Sequence, residues 1–205
     1  MKTNKPIIDK KKETLINFIL DETGSMLVHK TKTISAFNEY VKSLKSKSEP
    51  TKMTLTKFNS TKVEMVYVDK DINDVPELNE QNYQPDNLTP LYDAIGKTVK
   101  EVSDKTKGKD QLVLIAILTD GEENASREYS KEGIKLLITE KEKQGWSFVY
   151  LGANQDAFAV GSSLGVARGN IQNFDMYNIK PTMMAMAHST QSFRAGGAPT
   201  KQFFK

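Results

Sequence analysis

Two acidic residues, each lying where an apolar run ends, are the first positions in this 205-residue chain whose types and spacing suit chemistry. Asp21 follows Leu15–Leu20 (LINFIL), and Asp120 follows Leu112–Leu118 (LVLIAIL) one threonine later. Asp21 opens the run Asp-Glu-Thr-Gly-Ser-Met, in which residues 21, 23 and 25 alternate. Gly24 permits the tight backbone path that turns Asp21, Thr23 and Ser25 toward one point. The run Asn87-Leu88-Thr89-Pro90-Leu91-Tyr92-Asp93 adds a third hydroxyl, Thr89, just before a helix. Oxygen-only ligands with little charge suit Mg2+, which takes six oxygens and readily keeps waters; Mn2+ also fits. A set without sulfur or histidine is poor for zinc.

Taken singly, these residues have plainer readings. Asp120-Gly121 alone is a turn, and Ser25 alone is a helix N-cap. Asp93 is read as support for the first turn of its own helix. The acidic stretch from Asp69 to Asp86 is read as a solvated loop rather than a second cation site. Asn154 and Asp156 follow a strand and are assigned to capping the next helix. His29 and His188 are unpaired in sequence and receive no role. Met183, Met184 and Met186 are read as core packing, as is Trp146.

The elements that must carry the candidate site follow from periodicity. Leu15–Leu20 reads as a buried strand ending at Asp21. Leu27, Thr31, Ile34, Phe37, Val41 and Leu44 recur at helical spacing. Met53–Phe58 and Val63–Val68 are strands separated by too few residues for a parallel crossover, so they pair antiparallel. Pro90 is placed at a first helical position, followed by the stripe Leu91, Ile95, Val99 and Val102. Leu112–Leu118 is apolar on every residue, the mark of a central strand covered on both faces. A charged helix over 128–143, a strand at Phe148–Leu151 and a short helix over 156–164 stopped by Gly165 follow. Ile171–Phe174 is a last strand and Met183–Phe193 a last helix. These alternating elements predict a doubly wound, mostly parallel six-stranded sheet with one antiparallel edge strand and helices on both faces. Residues 1–13 are read as a basic tail, 14–195 as the domain and 196–205 as a loose end.

Composition narrows the function classes. The chain is 38% hydrophobic and 27% charged, as expected of a soluble globular protein, and has no cysteine. Disulfides, thiolate metal sites and cysteine nucleophiles are therefore excluded. No apolar run approaches the roughly 18–20 residues that span a bilayer, so no membrane association is expected. The net charge of +3 is carried by residues 1–13, and eight acids against Lys70 fall between Glu64 and Asp93. A basic tail and an acidic middle lack the basic, aromatic-interleaved face of a nucleic-acid protein, so nucleic acid is not an expected partner. Asn59, Asn87 and Asn124 open glycosylation triplets. A glycan on Asn87 would lie two residues from Thr89, so a cytoplasmic location is expected.

Asp21-Glu22-Thr23-Gly24-Ser25-Met26 resembles the D-x-[ST]-G-S-M loop of the von Willebrand factor A family. Thr89-Pro90-Leu91-Tyr92-Asp93-Ala94 resembles its threonine loop, and Leu118-Thr119-Asp120-Gly121-Glu122-Glu123-Asn124 its aspartate loop. The resemblance covers approximately residues 14–175. Leu151–Val166 is similar to small stand-alone A-domain proteins of bacteria and phages. The family implies a Rossmann-like fold and a metal-ion-dependent adhesion site. In it, Thr23, Ser25 and Thr89 contact Mg2+ through hydroxyls, while Asp21 and Asp120 act mainly through water. The expected function is metal-dependent protein binding, with the partner supplying an Asp or Glu, and no enzymatic activity. Thr23 stands where serine is commoner in the family; its methyl keeps the ligand oxygen but stiffens the side chain.

Two alternatives remain at this stage. A strand-end Asp with a later Asp-Gly also resembles haloacid-dehalogenase-type hydrolases, which need a second acid two residues on; that position is Thr23. A structural subunit of a phage particle or an ATPase-associated complex would use the same surface as the binding module. No G-x-x-x-x-G-K-[ST] loop occurs, which excludes P-loop nucleotide hydrolysis.

Overall fold

The structure, a computed structural model, describes residues 11–45, 49–153, 156–196 and 201–204. Six strands form one sheet: β1 (Thr14–Asp21), β2 (Thr51–Asn59), β3 (Lys62–Asp71), β4 (Leu112–Thr119), β5 (Ser147–Ala153) and β6 (Ile171–Phe174). Their order is β3-β2-β1-β4-β5-β6, and β2–β3 is the antiparallel pair. The five helices are α1 (Lys30–Leu44), α2 (Leu91–Thr106), α3 (Lys131–Lys143), α4 (Ala157–Ser163) and α5 (Lys180–Arg194).

Side-chain parity in the central strands explains why they are apolar at almost every step, Asn17 in the middle of β1 being the exception. Leu114, Ala116 and Leu118 of β4, with Ile16, Phe18 and Leu20 of β1, enter the core beneath α1 and α5. Val113, Ile115 and Ile117, with Ile19, enter the opposite core beneath α2, α3 and α4. Successive strand residues point to opposite faces, so a strand covered on both sides needs an apolar residue at every step. Burying one such side chain contributes about 1.5–3 kcal/mol, so the middle of the sheet anchors the fold. The predicted α2 stripe of Leu91, Ile95, Val99 and Val102 is buried as a unit. Met183, Met186 and Trp146 are core residues as expected, but Met184 is exposed.

Four local expectations are corrected. Residues Gly24–His29 form a 3-10 turn before α1 begins. Three residues per turn instead of 3.6 rotates the register, so Leu27 and Thr31 face outward and the buried stripe is Thr33, Ala36, Phe37, Tyr40, Val41 and Leu44. Pro90 is the cap of α2 rather than its first residue. The segment 69–87 is pinned rather than freely solvated: its acids after half-buried Asp69 are exposed, while Ile72, Val75, Leu78 and Tyr83 are buried. In the expected loose end, Phe203 is buried, its N–H donates to Asn170 Oδ1 at 2.8 Å, and the Phe204 N–H reaches the Gly169 carbonyl. An aromatic pair that can enter a core ties down the chain that carries it.

Residues 1–10 of the basic tail and Asn154 lie outside the described residues. The tail's last residues are attached at the base of the sheet. Lys11 pairs with Glu49, Lys12 pairs with Asp110, and the Glu13 carbonyl accepts the Leu112 N–H. Among the described residues, no helix is long and apolar enough to cross a membrane.

Candidate metal centre

The chain leaves β1 for β2 on one side, while β4 lies on the other, and the two crossovers pack on opposite faces. Between the carboxyl ends of β1 and β4 this topology opens a crevice, the usual ligand position of such sheets. Asp21 ends β1, and Asp120 follows the last residue of β4. The sheet thus brings together two acids 99 positions apart in the chain.

The five predicted residues converge there. The Asp21 carboxylate accepts the Thr23 N–H at 2.8 Å through Oδ1 and the Thr119 hydroxyl at 2.5 Å through Oδ2. Thr23 Oγ1 lies 3.2 Å from Ser25 Oγ, and the Ser25 hydroxyl donates to Asp120 Oδ1 at 2.6 Å. A methyl placed on Gly121 would lie 2.9 Å from Thr89 Oγ1 and 3.6 Å from Ser25 Oγ, so Gly121 leaves room for this cradle of hydroxyls. Asp21, Thr23 and Thr89 are buried, Asp120 is half-buried and Ser25 is exposed. The cluster is a partly buried ring, open on the side of Ser25 and Asp120.

Its electrostatics favour a cation. Burial pushes the Asp21 carboxyl up to about 6 against the hydrogen bonds from Thr119 and Thr23, and the charge of Asp120 raises it further. Burial also raises the Asp120 carboxyl, offset in part by Ser25 and by His29. Among the described residues, neither acid forms an ion pair with a lysine or arginine. Two desolvated like charges without a counter-charge are costly unless a cation or protons join them. Three neutral hydroxyls beside two carboxylates form an oxygen donor set that fits a hard divalent ion. Among the described residues, no three His, Asp or Glu side chains gather at one point, so hydroxyl donors are needed to complete such a set.

The surrounding loops hold this ring in place. The segment before Thr89 is sewn to the β1 loop: Tyr83 donates its hydroxyl to the Asp21 carbonyl, and the Gly24 N–H donates to the Asn87 carbonyl. Gly24 thus serves close approach, since a methyl there would meet Asn87 O at 3.4 Å. Glu22 is buried, pairs with buried Lys57 at 2.7 Å and accepts the Gln84 N–H. Asp93 has a different role from the expected one. Its carboxylate accepts the N–H groups of Arg127, Glu128 and Tyr129, locking the loop after β4 to α2. In return Glu123 accepts the Tyr92 N–H in the first turn of α2. Asp156 caps α4 through the Ala159 N–H, as expected. His29 is buried edge-on against Tyr177, and His188 is exposed on α5.

Sequence reasoning did not single out Thr119, Glu22 or Tyr83 as supports. Thr119 and Glu22 lie inside the quoted loops, but no local signal ties Tyr83 to Asp21 across 62 positions.

Comparison with solved structures bears on the fold. The von Willebrand factor domain of the type V pilus tip protein Mfa5 from Porphyromonas gingivalis superposes with a TM-score of 0.66, covering 92% of this chain and 97% of that one at 10% identity. This chain has a von Willebrand factor A fold. A von Willebrand factor type A protein from Catenulispora acidiphila gives a TM-score of 0.60 at 11% identity over 88% of this chain. The ArnB paralog VWA2 from Sulfolobus acidocaldarius gives 0.58 at 14% identity over 86%. The A-domain fold accounts for 43% and 44% of those two longer chains. Comparisons with protein-family models and with curated sequences give no match. Structural likeness at this level of identity establishes the architecture, and the chemistry of the site rests on this chain's own residues.

Proposed function

We propose that this A domain is a divalent-metal-dependent protein-binding module. Thr23, Ser25 and Thr89 hold Mg2+ through their hydroxyls, with Asp21 and Asp120 acting through water; Mn2+ substitutes. An ion held there would supply the positive charge on which an Asp or Glu of a partner protein could dock. The observation that carries this reading is the pair of buried Asp21 and half-buried Asp120, which among the described residues form no ion pair with a lysine or arginine and are bracketed by three hydroxyls. Two carboxylates at most balance a dication, so binding is weak and an outside anion is favoured.

The chain's own residues prepare the exchange. Ser25 is the exposed member and faces the incoming group, while Thr119 and the Thr23 N–H orient the Asp21 carboxylate. Catalysis is not part of the proposal. The position where a haloacid-dehalogenase-type enzyme carries its second acid is Thr23, and that side chain is committed to Ser25. A cytoplasmic location belongs to the proposal, because Asn87 is exposed and a glycan there would crowd the mouth of the site. A structural subunit of a larger assembly would use this same surface.

The test is metal binding followed by partner capture. Calorimetry with Mn2+ should register one weak site in the wild type and none in Asp21→Asn; unchanged binding in the variant would sink the assignment. Partners captured in Mg2+ should be released by chelation and lost with Thr89→Ala. A complex that survives both would place recognition on another face. Turnover of a generic phosphate ester that Asp21→Asn abolishes would replace the binding reading with an enzymatic one.

A further inference from the structure

Exposed apolar side chains collect around the mouth of the metal centre. Among the described residues seven large apolar side chains are exposed, and four lie at this end of the sheet. Leu27 and Val28 follow Ser25 in the 3-10 turn and are 57% and 80% exposed; Leu88, beside Thr89, is 55% exposed. Tyr177 is 73% exposed, with its ring edge-on against His29 at 5.1 Å. A carboxylate-seeking ion needs no apolar collar, and such a group of side chains near a binding centre marks a surface that another molecule covers. The collar is fringed by acids, since Asp86 and Glu122 are exposed beside Thr89 and Asp120. A fitting occupant therefore carries one acid for the metal, bulky apolar neighbours for the collar, and positive charge elsewhere.

This chain contains such a segment. Residues 5–12 read Lys-Pro-Ile-Ile-Asp-Lys-Lys-Lys: Asp9 follows two isoleucines, and lysines stand on either side. The segment cannot serve its own metal centre. Lys11 is held by Glu49 at the base of the sheet, where β1 begins. Two residues span at most about 7 Å, whereas the eight residues of β1 rise roughly 25 Å from that base to Asp21. A reach of two residues from Lys11 falls short of the metal face at the other end of the sheet.

Building on the reading of the metal centre given above, we propose that the occupant is a second copy of this chain. Asp9 of one copy enters the metal centre of the next, with Ile7 and Ile8 on the collar of Leu27, Val28, Leu88 and Tyr177. Lys5 and Lys10, which flank this segment, face Asp86 and Glu122, while Lys11 and Lys12 keep their pairs with Glu49 and Asp110. The contact is head to tail, so each copy keeps one free donor and one free acceptor, and association builds open chains or closed rings rather than a closed two-fold dimer. The buried area is small, so the association is weak and concentration-dependent.

Analytical ultracentrifugation of the full chain tests this directly. In Mg2+ the mass should rise with concentration beyond a dimer, and chelation should return it to monomer. Asp9→Asn and the pair Leu27→Ser/Val28→Ser should each weaken association by about thirtyfold or more, the effect of losing a buried charged or anchoring contact. Asp9→Asn lacks the donor and Thr89→Ala lacks the acceptor. Alone, each should remain monomeric; mixed in Mg2+, they should stop at a one-to-one dimer. A monomer at every concentration in Mg2+, or assembly untouched by Asp9→Asn, would overturn the proposal. Mn2+ calorimetry on the same samples separates the two readings. Metal binding without assembly removes the self-association and leaves the metal centre standing, while absence of metal binding removes both.

Discussion

Thr89 and Asn124 hold each other in both directions: the Thr89 N–H donates to Asn124 Oδ1 at 2.8 Å, and the Asn124 N–H donates to the Thr89 carbonyl at 3.1 Å. The hydroxyl of Thr89 is therefore placed by the loop after β4 rather than by its own loop alone. Two segments distant in sequence become one wall of the candidate site, and the residues that join them matter as much as the side chains they position.

Replacing Asn124 with alanine should loosen Thr89 without touching any ligand. The Thr89 N–H loses its acceptor, at a cost of about 1–3 kcal/mol in stability. Mn2+ affinity should fall by about tenfold, at the lower end of losses seen on removing supports of metal ligands. Calorimetry beside urea denaturation checks both values; unchanged affinity would show that Thr89 holds its place without Asn124.

Gly121→Ala addresses the cradle itself. The added methyl would lie 2.9 Å from Thr89 Oγ1, closer than any relaxed contact, so that hydroxyl must move. The expected result is a loss of Mn2+ binding by about tenfold or more with a melting temperature close to wild type. Retained binding would mean that Thr89 contributes no ligand.

Asp93 supplies a pH signature. Burial works to raise its carboxyl, but the N–H groups of Arg127, Tyr129 and Glu128 outweigh it and hold the group below the usual carboxylate value. A depressed folded value means that the stabilisation is fully present above the unfolded value of about 3.9 and is lost as pH falls through the folded one. Asp93→Asn should therefore cost about 1.5–3 kcal/mol at pH 7. The gap to wild type should narrow below about pH 4. Urea denaturation at neutral and acidic pH measures the two gaps, and a constant gap would contradict the assignment.

Lys57→Met should be among the most damaging single changes near the site. It leaves the buried carboxylate of Glu22, which also accepts the Gln84 N–H, with only the more distant ammonium of half-exposed Lys62 at 3.9 Å, at a cost of up to about 3–5 kcal/mol. It also removes the ammonium that holds the Asn82 carbonyl. Adding Glu22→Gln, which keeps an acceptor and removes the charge, should recover much of the loss. Chemical denaturation of the three proteins decides the point; a single variant as stable as wild type would show that the pair contributes little.

The amino-acid sequence by itself determined the layered architecture and pointed to the residues of the candidate site. Apolar runs such as LVLIAIL are legible because burial on two faces demands an apolar residue at each step. The short gap around Ser60 is legible because a parallel crossover needs more chain than that gap provides. Asp21, Thr23, Ser25, Thr89 and Asp120 are legible because they stand at strand and loop ends with oxygen-bearing side chains close together. Only the tertiary structure decided what holds them. The bond from Tyr83 to Asp21, the Glu22–Lys57 pair, the capture of residues 127–129 by Asp93 and the return of Phe203 to the core all join positions far apart in the chain. Local periodicity carries no information about such pairs. The outward turn of Leu27 depended likewise on a 3-10 start to the helix, which rotated the apolar stripe and left Leu27 exposed where the α-helical pattern expected core.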